Sequence, residues 1–360
     1  MKRKREKRRS ALASDSPEHA TAIEGDRLAR RFLQFADEAR AYASPLYEEL
    51  SRVSARDPEL LQIAGHVRRP PIPNVFFAAV HFLLLESPTH GLAAFYGSLT
   101  SNPRRPAEAR DAFRDFVVVN SARLIPLLES RTTQTNEVSR CSFLLPAFTH
   151  VYRSCGTRPL ALIDVGCSAG LHLRWDCYHY EYGVVDVGDR GAAVALQCEL
   201  RGDVMPPLPV QFPTCLYRLG IDLTPIDLTN EVDRRWFDAL IWPDHPYRRR
   251  LAQVAIGELL RNPPTIVKGD VANVLGSQLD AVPADTTLVV YNVATLCQGG
   301  AIEDAAMAKI LVAFSSRRSI HWLYCEREEM LLRHVDRGRV SEMKLANIDG
   351  HGRWLEWLRS

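Results

Sequence analysis

From Arg158-Pro159 onward the chain alternates short apolar runs with longer segments of helical periodicity, and nothing else in it narrows the fold as much. The runs are LALIDVG at 160–166, CLYRLGID at 215–222, TIVKGD at 265–270, TTLVVYN at 286–292 and SIHWLYCE at 319–326; helical segments lie at 231–261, 271–281 and 301–315. Apolar runs of this length read as strands covered on both faces. Strands separated by helices pair in parallel through crossovers. The pattern predicts an α/β domain over 156–360 with a mostly parallel sheet. In such sheets ligands bind beyond the carboxyl ends of the strands, where the winding reverses.

Residues 25–155 carry helical periodicity instead and predict an all-helical N-terminal domain. Leu28, Phe32, Phe35, Ala36, Ala39 and Tyr42 form one stripe of a helix that closes near Ser44-Pro45. Segments at 74–85, 92–96, 107–128 and 137–152 continue the pattern, broken by Pro70-Pro71, Pro88 and Pro103. His81, inside an apolar helix, reads as a core histidine with satisfied ring nitrogens. Residues 1–24 read as a basic, disordered tail. Seven Lys/Arg against Glu6 in the first nine residues give +6 there, so the total of +2 leaves the rest at −4.

Composition excludes several classes. With 46% hydrophobic and 24% charged residues over 360 positions, the chain can bury a core of its own. The eight cysteines never lie closer than ten apart and form no CxxC, which argues for reduced thiols in a cytoplasmic protein and for no metal site. The longest apolar stretch, Val75 to Leu85, is eleven residues interrupted by His81, too short for a bilayer. No apolar stretch follows the basic start as a signal peptide requires. An acidic body without a nucleic-acid motif leaves a small molecule as the expected partner rather than nucleic acid or a membrane.

The strand ends carry the candidate chemistry. Asp164-Val-Gly166-Cys-Ser168-Ala-Gly170 closes the first run. Gly166 permits a tight turn, the small Ser168 lets backbone approach a ligand, and Gly170 allows helix and strand to pack closely. Asp222 ends the second run, where a carboxylate can accept from both hydroxyls of a ribose. Asp270 ends the third, placed to accept from an adenine amino group, and Asn292 ends the fourth.

These strand ends resemble the first three motifs of the class I S-adenosylmethionine-dependent methyltransferases. The resemblance implies a Rossmann-like sheet, S-adenosylmethionine as cofactor, and Asp164, Gly166, Ser168, Gly170, Asp222 and Asp270 as the residues that hold it. The stretch from Asp164 to Asp222 is longer than that pattern, which implies an insertion near 175–213. Six motifs, the glycine loop among them, Ala43-Ser-Pro-Leu-Tyr47, Phe77-Ala-Ala-Val-His81, Arg131-Thr-Thr-Gln-Thr-Asn-Glu137, Gly166-Cys-Ser-Ala-Gly-Leu171, Ile241-Trp-Pro243 and His351-Gly-Arg-Trp354, resemble the bacterial family catalogued as domain of unknown function 2332. That family name implies no activity.

Two other functions compete with methyl transfer. Gly166-Cys-Ser168-Ala-Gly170 satisfies the G-x-S-x-G nucleophile elbow, with Asp270 and His321 following in the order of a serine hydrolase triad. Against it, the chain before Leu160 reads as helix and His321 falls inside an apolar strand. The third reading is a binding or scaffold module without chemistry.

The polar run Arg131 to Arg140 lies between apolar segments. It is either a loop with a helix cap at Thr135 or Asn136, or a set of ligand contacts from Gln134, Asn136, Glu137 and Arg140. Trp175 and Asn292 are further substrate-binding candidates, and Glu137, Asp176 and His351 are the ionisable candidates for a general base.

Overall fold

In the computed structural model, residues 17–294, 301–326 and 328–359 are described. The basic start of the tail and Cys297 therefore lie outside the described residues. The chain divides into two compact units: the first holds residues up to Gln134 together with Arg235–Arg249, the second Thr135–Arg234 and Arg250–Ser360. The first unit thus ends earlier than the periodicity suggests, because the helix Cys141–Ser154 belongs to the second unit, and it gains a later segment in exchange.

Every element assigned between 17 and 134 is helical, including Pro17–Ala41, Pro45–Ser54, Pro58–Ala64, Ile72–Glu86, Arg110–Val119 and Ser121–Ser130. The predicted helix over 107–128 breaks at Asn120, whose side-chain amide turns back to the Phe116 carbonyl at 2.8 Å. The core of this unit is aromatic: Phe32, Phe35, Tyr47, Phe76, Phe77 and Phe113 pack edge-on and stacked, and Trp236 and Leu240 of the later segment join them. Ser44 donates to Asp244 at 2.6 Å, and Trp242 packs on Phe35 and Tyr47. His81 is buried with its ring bonded to the Ala239 carbonyl (3.0 Å) and Ser98 Oγ (2.7 Å), and burial lowers it to about 4.

The second unit is mixed α/β. Its strands are β1 (Leu160–Val165), β2 (His179–Glu181), β3 (Asp186–Val187), β4 (Ala195–Gln197), β5 (Glu199–Arg201), β6 (Cys215–Asp222), β7 (Thr265–Lys268), β8 (Thr287–Val293), β9 (Ile320–Glu326), β10 (Glu329–Asp336), β11 (Arg339–Ile348) and β12 (Trp354–Trp357). The main sheet has the order β5-β12-β11-β10-β9-β8-β1-β6-β7 and is mostly parallel. From β1 the chain winds outward through β6 to β7, then crosses back to β8 and on to β9, so the winding reverses between β1 and β8. β10, β11 and β12 add an antiparallel meander, and β5 closes that edge parallel to β12. The meander lies beyond the predicted strands because its exposed face interrupts any apolar run: β11 is exposed over its first six residues.

All six residues of β1 and all seven of β8 are buried, as strands at the centre of a covered sheet must be. Ile163, Val165, Leu275, Leu279, Val290, Leu311, Phe314 and Trp322 form the core on one face. Between β1 and β6, within the stretch where an insertion is expected, the chain forms a separate three-stranded sheet of order β3-β2-β4 and continues into β5.

Candidate functional site

The carboxyl ends of β1, β6, β8 and β9 collect an unusual amount of buried polarity. Asp164, Ser168, His172, Asp222, Asn292 and Glu326 are all buried there, and Asn136, Glu137 and Arg140 are buried as well. Buried charges and amides need partners, and the partners define the arrangement.

The loop after β1 is held from both sides. Gly166 N and Cys167 N donate to the Ile221 carbonyl, at 2.7 and 3.3 Å, and Ser168 N donates to Asp222 Oδ2 at 2.8 Å. Gly170 N donates to the Cys167 carbonyl at 2.8 Å. Leu171 N, at the start of the short 3-10 helix Leu171–Cys177, donates to Asn136 Oδ1 at 2.7 Å. Gly170 takes a φ of +81°, and a Cβ there would press on Pro264 and Ile266. The other Asp222 oxygen accepts from Thr224 N at 2.9 Å. The amides of Gly166, Cys167, Ser168, Gly170 and Leu171 are therefore committed to protein acceptors, with a carboxylate among them.

The polar run is tied to this loop. Asn136 lies 4% exposed and caps Leu171 rather than its own helix; the cap of the Val138–Arg140 turn is Glu137, which accepts from Ser139 N at 3.4 Å. The Glu137 carbonyl accepts from His172 Nε2 at 2.9 Å. Arg140 Nε donates to the Gly350 carbonyl at 2.8 Å, and Ser142 Oγ donates to the Gly352 carbonyl at 3.0 Å. His351 thus sits between two residues clamped to the 139–142 segment. The turn itself is built on Asp349, which accepts from the backbone of His351 and Arg353 and from the Arg353 side chain. Gln134 ends the first unit and is half-buried.

Asp164 lies at the centre. It is 1% exposed, and neither its Oδ2 nor the hydroxyl of the adjacent Tyr291 meets strict hydrogen-bond geometry, though the two are near enough for Tyr291 to favour the ionised carboxylate. Burial pushes its carboxyl up to about 8; Asp222 adds to the rise, while Tyr291 and Arg140 oppose it. His172 Nδ1 is 3.7 Å from Asp164 Oδ2, and burial lowers His172 to about 4. On the next strands, Asn292 accepts from Trp322 Nε1 at 2.8 Å and donates to Glu326 at 3.3 Å.

Other candidates are used structurally. Trp175 is fully buried against Phe148 and Phe212. Asp176 forms a two-pronged pair with Arg218 at 2.5 Å. Asp270 is exposed and caps the helix Val271–Asp280, accepting from Ala272 N at 2.9 Å. A serine triad is not assembled. His321 is level with Val289, and Val289 with Leu162, near the start of β1, whereas Ser168 follows its end; His321 Nε2 meets Cys155 Sγ at 3.2 Å instead. His172 and Tyr291 are the site residues that sequence reasoning missed. The register of β8 beside β1 was the available signal for Tyr291, which pairs with Asp164.

Among the described residues, no three His, Cys, Asp or Glu side chains converge as a metal site requires, and no helix is long and apolar enough to cross a membrane. The seven described cysteines are free.

The family described as "Uncharacterized protein conserved in bacteria (DUF2332)" matches residues 29–357. The chain belongs to this family. The match spans both units and includes all six short motifs, so the resemblance carried by those motifs holds over nearly the whole sequence. No curated protein and no solved structure matches the chain. Family membership thus brings no chemistry with it, and the reaction has to be argued from the strand ends.

Proposed function

We propose that the second unit is a Rossmann-like domain that binds S-adenosylmethionine beside the Gly166–Gly170 loop and serves methyl transfer. The order of its parallel strands, with the third, second, first, fourth and fifth side by side, is the doubly wound order whose ligands bind at the reversal. One observation carries the reading further. Of the amides from Gly166 to Leu171, all but that of Ala169 are bonded within the protein, and two carboxylates, Asp164 and Asp222, flank them. A phosphate ligand needs free amides and no nearby negative charge. A ligand with positive charge and hydroxyl groups fits these surroundings; S-adenosylmethionine has an ammonium, a sulfonium and a ribose.

In this reading a ribose hydroxyl approaches the Asp222 carboxylate, whose Oδ2 holds the loop at Ser168 N and whose Oδ1 holds the Thr224 amide. Asp164 faces the ammonium group. Exposed Asp270, two positions beyond the end of β7, is available to the adenine side. The bound cofactor supplies an electrophilic methyl group. The chain's part is to orient an acceptor in line with it, and proximity then provides most of the acceleration. Asn136, Glu137 and Arg140 are the residues that would line the acceptor side, with His351 held next to them.

Calorimetry with S-adenosylhomocysteine tests the reading. Binding tighter than millimolar, about −4 kcal/mol, is expected, together with its loss in Asp222→Ala while the far-ultraviolet circular dichroism of the variant stays unchanged. Heat-silent titration at millimolar ligand would sink the assignment.

A further inference from the structure

Asp164 is buried between groups of opposite preference: the Tyr291 hydroxyl and Arg140 favour its charge, while Asp222 and the loss of water disfavour it. Its Oδ2 makes no hydrogen bond of strict geometry. The nearest ring nitrogen, His172 Nδ1 at 3.7 Å, is not a donor: His172 Nε2 bonds a carbonyl, which can only accept, so the proton of a neutral imidazole is on Nε2 and Nδ1 presents a lone pair. An ionised Asp164 would face that lone pair and the negative field of Asp222. A carboxylic acid has the hydrogen this geometry asks for.

We propose that Asp164 stands in the free protein as a neutral acid and takes up the ligand's ammonium group by giving up its own proton, so that binding is coupled to proton release. The inference rests on the S-adenosylmethionine reading and adds regulation of the same site by pH. The balance is simple: one carboxyl O–H is broken, its proton passes to solvent, and the ammonium supplies the charge-assisted hydrogen bond that replaces it.

The groups that face Asp164 allow this exchange to be attributed to it. From β6 comes Asp222; from the Val138–Arg140 turn, Arg140; from β8, the Tyr291 hydroxyl. Cys141, Cys167 and Cys325 also feel its charge, and burial raises all three thiols, which keeps them protonated at neutral pH. His172, lowered to about 4, stays neutral, and Asp164 itself is raised to about 8. Near pH 7, Asp164 is therefore the group in this cluster poised to lose a proton.

The test titrates the full chain with S-adenosylhomocysteine at pH 7 in phosphate, HEPES and Tris, whose ionisation enthalpies differ. The slope of apparent enthalpy against ionisation enthalpy counts protons. Close to one released proton is expected at pH 7, declining as pH rises through about 8. Asp164→Asn, which copies the neutral acid in shape, should bind about tenfold more weakly or worse, the loss expected for one hydrogen bond to a charged group. Any binding it retains should release no proton. Infrared difference spectra of the free protein at pH 7 should show a protonated-carboxyl carbonyl band that Asp164→Asn lacks. Binding without proton release, or the same release from Asp164→Asn, or absence of that band, overturns the inference and leaves the cofactor reading standing. No binding by the wild-type chain overturns both.

Discussion

Replacing Gly352 with Ala tests whether the 349–353 turn holds the polar segment of the site in place. Gly352 has φ of +76°, and a Cβ there would overlap the Ser139 carbonyl and come within 2.9 Å of Arg140 N. The left-handed conformation alone costs an L-residue about 1–2 kcal/mol. The overlap is with backbone, so no side chain can swing away to relieve it. The turn must shift, which breaks the Ser142–Gly352 and Arg140–Gly350 hydrogen bonds (3.0 and 2.8 Å) at about 1–3 kcal/mol each where buried groups lose partners. A loss on the order of 4 kcal/mol follows from these terms together. Gly338→Ala is the control: its φ is also +76°, but nothing lies within 4 Å of the added Cβ, so only the conformational cost of about 1–2 kcal/mol applies. Urea titration of both variants, compared at equal slope, reads the difference. If the two lose the same stability within about 1 kcal/mol, the turn is not a clamp, and its role in fixing Arg140 and presenting His351 fails.

Ser168 has a φ of +54° and only its small size is required beside a ligand, so Ser168→Gly should keep S-adenosylhomocysteine binding while Ser168→Leu abolishes it; covalent labelling of Ser168 by a fluorophosphonate would instead restore the hydrolase. Asp164→Asn should stabilise the free protein at neutral pH by a few kcal/mol, since each tenfold change in proton affinity between the folded and unfolded chain is worth roughly 1.4 kcal/mol. The sign follows from linkage: a carboxyl raised from its ordinary value of 3.8 to about 8 stays protonated when folded and loses its proton when unfolded, so wild-type stability falls as pH rises between those values. The advantage of the variant should therefore grow from pH 4 to pH 8 in thermal or urea melts, and a constant gap would refute it.

The central parallel strands were legible because burial on both faces writes itself as an uninterrupted apolar run. LALIDVG and TTLVVYN correspond to β1 and β8, whose residues are all buried. The antiparallel strands β10 to β12 were not legible, since RVSEMK at the start of β11 is exposed throughout and carries no apolar period. Helix ends were blurred for a related reason. The periodic stretch 231–261 is two helices, Glu231–Ala239 and Pro246–Arg261, and the turn between them keeps apolar residues because Leu240 and Trp242 pack into the first unit's core.

The site divides along the same line. Residues that end strands could be placed from sequence, because a polar residue after an apolar run must emerge at a sheet edge. What sequence spacing cannot show is which side chain completes a distant backbone. Asn136 was readable as a helix cap, and it is one, but the amide it caps belongs to Leu171. Gly352 was readable as part of a short motif, yet its reason is the carbonyl of Ser139, more than two hundred residues earlier. The motifs of the second unit are thus each other's explanation. Arg131 to Arg140 supplies Asn136 to the glycine loop and receives the Gly350–Gly352 turn, so a change in any one of them should be felt at the other two. Ala43-Ser-Pro-Leu-Tyr47 and Ile241-Trp-Pro243 are coupled in the same way in the first unit, through Trp242 against Tyr47 and through Ser44 bonded to the nearby Asp244. A motif whose partner lies within its own unit need not touch a ligand to be required. Position within a motif therefore cannot by itself identify a catalytic group, and Asp164 stands out on other grounds: it is a buried carboxyl beside the glycine loop with an oxygen that none of these motifs satisfies.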